Sequence, residues 1–190
     1  VLNKIDFELT KDQLSSLNDI YEDMTSKKRM NRIIIGDVGS GKTIVAILAG
    51  LIAIENGYQV AFMAPTEILA RQHFENYNDF FRRLGISSNL LIGSTSTQEK
   101  KKIYEALRTH DIDIIFGTHA LFQDKVHFSK LGLVITDEQQ RFGVFQRKLI
   151  SDKGTNPDLL LLSATPIPRT LALTMYRDLD FSIIETMPKN

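Results

Sequence analysis

The stretch "RIIIGDVGSGKTIVAILAGLIAIENG", residues 32 to 57, decides how the chain is read. Ile33, Ile34 and Ile35 make a short β-branched apolar run, the composition of a buried strand. Lys42 to Asn56 is apolar almost all round, which predicts a buried helix stopping at Gly57. Between them, Gly36, Asp37, Val38, Gly39, Ser40, Gly41, Lys42 and Thr43 fit the pattern G-x-x-x-x-G-K-[ST]. Its glycines let the backbone curl so that successive N–H groups converge on phosphate oxygens, and the emerging helix adds its positive end. Lys42 then reaches the β- and γ-phosphates, and the Thr43 hydroxyl is a ligand for Mg²⁺. The bland alternative is a glycine-rich turn with a decorative lysine. A complete pattern with a strand before it and a helix after it argues against that alternative.

Working outward, six more apolar runs read as strands: "QVAFMA" near 59–64, "NLLIG" near 89–93, "IDIIFG" near 112–117, "GLVIT" near 132–136, "DLLLLS" near 158–163 and "FSIIE" near 181–185. Most are continuous rather than alternating, as strands covered on both faces require. From Thr66 to Leu84, apolar residues at Ile68, Leu69, Phe74, Tyr77, Phe80, Phe81 and Leu84 recur at helical spacing, with Gly85 as the stop. Ser96 and Glu99 form a capping box that opens a helix through Leu107, and Lys100 to Lys102 read as its solvated face. The expectation is an α/β fold: one P-loop domain with a mostly parallel sheet of about seven strands and helices on both faces.

Composition mainly excludes. A chain of 190 residues suits one domain, and 23 basic against 23 acidic residues say nothing about a nucleic-acid partner, since any basic surface must be local. The absence of cysteine rules out disulfides, thiolate zinc sites and thiol nucleophiles. His73, His110, His119 and His127 lack metal-ligand spacing. No apolar run reaches membrane-spanning length and no signal peptide is seen, so the cytoplasm is the expected compartment. A first residue of Val rather than Met suggests a piece of a longer chain.

"GLVITDEQQRF", residues 132 to 142, places Asp137 and Glu138 side by side at the end of a buried strand. Alone, such a pair reads as a solvated turn. Beside a phosphate loop it reads as the other half of a site. Asp137 would hold Mg²⁺ through its water shell, and Glu138 would take a proton from the attacking water or orient it. The "NKID" at 3–6 precedes the loop and is a chance match to a guanine-reading motif. "FELTKDQ", residues 7 to 13, offers Gln13, whose amide can pair with N6 and N7 of adenine. Thr10 and Gln13 equally have the spacing of a capping box opening a helix of Leu14, Leu17, Tyr21 and Met24. Spacing leaves both readings open.

Six stretches, "FELTKDQ", "GDVGSGKT", "APTEILARQH", "GTHALF", "TDEQQRFGV" and "LSATPIPRTLALT", stand in the order of motifs Q, I, Ia, Ib, II and III of the second helicase superfamily. Their wording most resembles the RecG family of bacterial branched-DNA translocases, across Phe7 to about Thr174. The transcription-repair coupling factors are similar over a smaller set. The resemblance implies a RecA-like motor domain, residues 1 to 190, driven by ATP and Mg²⁺ on replication forks and Holliday junctions in bacterial recombination and repair. It implies that Phe7 and Gln13 serve the adenine, that Asp137 binds metal, that Glu138 is the catalytic base, and that Ser163 and Thr165 couple nucleotide state to DNA. DNA phosphates would meet Thr66, Arg71, Gly93, Ser94, Thr118 and His119, although capping and turn chemistry explains each singly. A second RecA-like domain and a DNA-recognising wedge domain would lie elsewhere in the parent chain. A rival from another class is an ATP-dependent binding module that never turns over.

One position departs from the family pattern: motif II usually ends in His, where this chain has Gln140. Both side chains hydrogen-bond, but only His titrates near neutral pH. Coupling is therefore expected to tolerate the amide. ATPase measured on the parent protein and on Gln140→His should agree; activity that appears only with His would refute this.

Overall fold

A computed structural model describes residues 3, 5–137, 156–164 and 179–185. Its elements run α1 (Lys11–Thr25), β1 (Asn31–Gly36), α2 (Lys42–Glu55), β2 (Gln59–Met63), α3 (Glu67–Arg83), β3 (Ser88–Leu91) and α4 (Thr97–Arg108). Then come β4 (Ile114–Gly117), a 3₁₀ turn (His119–Phe122), β5 (Leu131–Asp137), β6 (Asp158–Ser163) and β7 (Asp180–Ile184). All seven expected strands are present, with ends shifted by at most two residues. They form one sheet of order β3-β4-β2-β5-β6-β1-β7, and every pairing is parallel.

Two apolar clusters show why the strands look continuous in sequence. Ile34, Phe62, Phe116, Ile135 and Leu160 pack with Leu17 and Ile20 of α1, Leu48 of α2 and Phe81 of α3. Their neighbours Ile33, Ala61, Ile115, Val134 and Leu161 pack on the opposite face with Ile103 and Leu107 of α4 and Phe122 of the 3₁₀ turn. Each strand buries both faces, so the period-two alternation is invisible in hydropathy. α2 stops as expected, with Gly57 at φ +83°, and Gly85 follows α3 at φ +71°.

Three helical expectations need correction. The buried face of α1 is Gln13, Ser16, Leu17 and Ile20, whereas Leu14 and Tyr21 are exposed. The face is rotated because Gln13 is satisfied by polar partners and tolerates burial, and the small Ser16 is buried beside it. Ile68 is 79% exposed. It lies in the first turn of α3, at the open edge of the sheet, where none of the described residues covers it. At the start of α4 the Ser96 hydroxyl accepts from the Glu99 N–H at 3.2 Å, one half of the expected capping box, and Lys100 is only half exposed, its Nζ donating to the Gly93 carbonyl at 3.0 Å.

Polar anchors fix the strands. Gln59, fully buried at the start of β2, donates to the Leu107 and Ile112 carbonyls and accepts from the Lys130 N–H, each at 2.9 Å. Arg32 of β1 forks onto Asp23 of α1 at 2.7 and 3.2 Å, and its third nitrogen donates to the Phe181 carbonyl and the Ser182 hydroxyl of β7. One guanidinium thus clamps α1 and the edge strand β7 to β1, a geometry that lysine's point charge cannot reproduce.

At the start of β6, Asp158 accepts from the Met30 N–H at 2.7 Å. Burial pushes its carboxyl above the usual range, and the Met30 bond and nearby Arg29 oppose the shift without cancelling it. A raised folded pKa means that this group contributes most below the unfolded value, about 3.9, and that its contribution is lost as pH rises through the folded value. Asp158→Asn, whose carbonyl still accepts from Met30, is expected to raise Tm at pH 7 by roughly a degree or two, a fraction of the 2–4 °C per kcal/mol usual at this size. Melting curves at pH 4 and pH 7 check it, because the gain must shrink towards pH 4.

Candidate nucleotide-binding site

Because every strand runs the same way, all carboxyl ends open on one edge. β1 ends in the glycine loop, β5 in Asp137, and β6 lies between them, with Ile35 beside Ser163 and Asp137 beside Leu162. Two strand spacings, about 10 Å, therefore separate the Asp137 backbone from the loop's strand.

The loop has the shape its residues predict. Gly39 and Gly41 take φ of +82° and +87°, values that side chains other than glycine's resist. A Cβ on Gly36 would lie 2.6 Å from the Ser40 hydroxyl and 2.9 Å from the Ile184 carbonyl, so the first glycine is required by closeness rather than by φ. Gly41 is the N-cap of α2 and brings no side-chain cap, which leaves the first-turn N–H groups of this helix to an external acceptor. Buried Lys42 turns its Nζ to the Gly36 carbonyl at 2.7 Å and the Asp37 carbonyl at 3.2 Å. The Ser40 hydroxyl is buried with no hydrogen-bond partner among the described residues. Backbone donors, a lysine and an orphaned hydroxyl on one curl of chain fit a polyphosphate.

Asp137 is 7% exposed. It continues the face of Leu133 and Ile135, the face covered by α2 and α3. Its Oδ2 accepts from His73 Nε2 at 2.6 Å, and the His73 ring lies 4.9 Å from that of Phe62. Sequence reasoning missed His73; its one signal was its place two turns into the helix that Thr66 opens. Among the described residues, no group of three or more His, Asp and Glu could hold a metal. One buried carboxylate beside a phosphate cradle instead suits Mg²⁺, which binds through one or two carboxylates together with phosphates and water. Glu138, Gln140 and Thr165 lie outside the described residues. Ser163 is half buried at the end of β6.

Of the two readings of Gln13, the structure shows the capping box. Its Oε1 accepts from the Thr10 N–H at 2.8 Å while the Thr10 hydroxyl accepts from the Gln13 N–H, completing the capping box. Its Nε2 donates to the Gly41 carbonyl at 3.4 Å. The amide is thus tied to the phosphate loop. Phe7 is 48% exposed beyond it.

The residues expected at DNA gather at the adjoining strand ends. The Thr66 hydroxyl caps α3 through the Leu69 N–H at 3.3 Å, and Arg71 is exposed one turn on. Thr118 begins the 3₁₀ turn and His119 is exposed. Gly93 and Ser94 follow β3, but Ser94 is engaged: Glu67 accepts from its N–H at 3.1 Å and its hydroxyl at 3.0 Å. A carboxylate thus stands where a phosphate oxygen would. Two surface hollows of about 360 and 380 Å³, both touched by Tyr21, Ile52 and Asn56, lie away from this edge.

The fold and this edge define a P-loop motor domain of the helicase type. The family model described as DEAD/DEAH box helicase matches residues 10–174, and the chain belongs to that family. Within it, the chain is 50% identical over 189 residues to the ATP-dependent DNA helicase RecG of Borreliella burgdorferi, covering 100% of this chain and 28% of that protein. It is 53% identical over 182 residues to RecG of Streptococcus pneumoniae, covering 96% of this chain and 27% of that protein. Among solved structures, RecG bound to a three-way DNA junction superposes with a TM-score of 0.87 at 47% identity, over 100% of this chain and 25% of that one. The helicase MrfA bound to DNA and AMPPNP, at 19% identity and a TM-score of 0.72 over 99% of this chain and 28% of that one, shares the fold. This chain spans about a quarter of the length of the relatives it matches.

The cradle generates a prediction at Gly41. A Cβ there would sit 2.0 Å from Gln13 Nε2, on a residue at φ +87°. Left-handed backbone costs a side chain about 1–2 kcal/mol. Gly41→Ala is thus expected to weaken binding of a fluorescent ATP analogue about tenfold or more. Unchanged affinity would show that the loop does not hold this shape around phosphates.

Proposed function

We propose that this chain is the ATP-binding motor domain of a RecG-type translocase, coupling ATP hydrolysis to movement on branched or double-stranded DNA in bacterial recombination and repair. The observation that carries it is the pairing, across β6, of a phosphate cradle holding Lys42 with the buried carboxylate of Asp137. In this reading Lys42 exchanges its two carbonyl partners for phosphate oxygens, Thr43 and Asp137 hold Mg²⁺, and the metal neutralises charge on the β- and γ-phosphates. Phe7 and Gln13 serve the adenine, which requires the Gln13 amide to loosen from Gly41. Glu138 acts as base, Gln140 hydrogen-bonds towards the γ-phosphate, and Ser163 with Thr165 transmit the nucleotide state.

DNA phosphates would lie along the β2, β3 and β4 ends, against Thr66, Arg71, Gly93, Ser94, Thr118 and His119. Such contacts position a duplex without reading its sequence. At Ser94 the incoming phosphate displaces the Glu67 carboxylate. A second RecA-like domain and a DNA-binding wedge domain belong to the remainder of the parent chain. The RecG name of relatives near 50% identity supports this reading over a transcription-repair coupling factor. Among the described residues no helix is long and apolar enough to cross a membrane.

The test is ATP binding and hydrolysis by the 190-residue chain in Mg²⁺, with and without forked DNA, against Lys42→Ala. Binding should require Lys42, and turnover should stay near background. The transition-state arginine of a facing domain is worth on the order of 10³–10⁵ in rate. Brisk DNA-stimulated turnover would refute the need for that second domain. Binding indifferent to Lys42 would refute the nucleotide site.

A further inference from the structure

The hydrogen bond between His73 and Asp137 joins α3 to the end of β5 across 64 residues of sequence. Both side chains are largely buried, with 14% and 11% of their surfaces exposed. An ionised carboxylate only accepts, so His73 Nε2 carries the proton in this bond. The ring that presents it is held by packing. It tilts at 45° against Phe62, which is fully buried and itself 5.2 Å from Phe116. A donor on a ring wedged into the aromatic core has little freedom to leave. A carboxylate with one oxygen fixed at 2.6 Å has little freedom to rotate.

We infer that His73 is a positioning residue for the metal-nucleotide site: it holds the Asp137 carboxylate in the orientation in which it meets the Mg²⁺ of bound Mg·ATP. The inference rests on the reading of Asp137 given under the proposed function. It assigns a role to a residue that neither the phosphate loop nor the Asp-Glu pair contains. Partners of this kind, which hold a metal's carboxylate ligand from behind, are worth about 10- to 100-fold in metal affinity when removed. The bland alternative is that His73 only fills space beside Phe62 and satisfies a buried acid. That alternative predicts a loss of stability with no selective effect on metal.

Two substitutions separate the readings. His73→Phe keeps a ring on Phe62 and deletes the donor. His73→Gln puts an amide N–H near the position of Nε2 and gives up the ring. A fluorescent ATP analogue is titrated into the 190-residue chain in EDTA and over a range of Mg²⁺, for wild type, both variants and Lys42→Ala, with melting curves as the check on folding. His73→Phe should leave affinity in EDTA within about twofold and raise the Mg²⁺ needed for half-maximal tight binding about tenfold, the low end of that range. His73→Gln should return that Mg²⁺ requirement most of the way to wild type. The inference is overturned if His73→Phe keeps the wild-type Mg²⁺ requirement, if its affinity falls equally in EDTA and Mg²⁺, or if Gln does not rescue. Wild-type binding that ignores both Mg²⁺ and Lys42 would instead overturn the nucleotide reading, and this inference with it.

Discussion

A sheet in which neighbouring strands all run parallel cannot be closed by hairpins. Each connection must cross back over a face, and a helix is the cheapest way to satisfy the backbone of that crossing. The consequence is directional. Seven strands deliver seven carboxyl ends to one edge, so residues far apart in sequence become neighbours without any contact between their own elements. The glycine loop, Asp137, Ser163, Thr66, Ser94 and Thr118 share that edge because each is the last residue of a strand or lies just beyond one. The general tendency of such folds to bind ligands outside the carboxyl ends has the same origin.

How much of this was legible follows from the range of each cause. The strands were legible because a double-sided core makes their composition monotonously apolar, and the glycine loop because its φ values at Gly39 and Gly41 strain any other residue. The pairing of Asp137 with that loop was legible because two partial motifs needed each other. The face of α1 was misread, since periodicity counts apolar residues while the buried face includes the polar Gln13 and Ser16, the first of them hydrogen-bonded. His73 and Glu67 could not be found at all. Their partners lie 64 and 27 residues away, and only the strand order brings them close. A histidine two turns into a half-buried helix looks like any core aromatic until its ring nitrogen is located.

Gln13 shows a different limit. The capping box and the adenine-reading role were posed as alternatives, yet one amide can serve two structures. Its oxygen completes the cap on Thr10 and its nitrogen reaches the Gly41 carbonyl. This ties the start of α1 to the N-terminus of α2, and Arg32 ties the far half of α1 to β1 and β7. A single helix is thereby braced at both ends against the strand that leads into the phosphate loop.

The polar groups of the edge also have internal partners. Lys42 rests on two loop carbonyls, Asp137 on His73, and the Ser94 donors on Glu67. Isolated buried charges would cost several kcal/mol each, so an edge made only of waiting ligands would oppose folding. Internal partners remove that cost and set the terms of binding. In the proposed reading a phosphate would be taken up by exchange, replacing a neutral carbonyl at Lys42 or a carboxylate at Ser94. The first exchange gains a charge pair, whereas the second must expel one anion to admit another. The carboxylate at Ser94 belongs to Glu67 in the first turn of α3, and the donor at Asp137 lies two turns further along the same helix. One helix thus carries the partners of both places, Glu67 for Ser94 and His73 for Asp137.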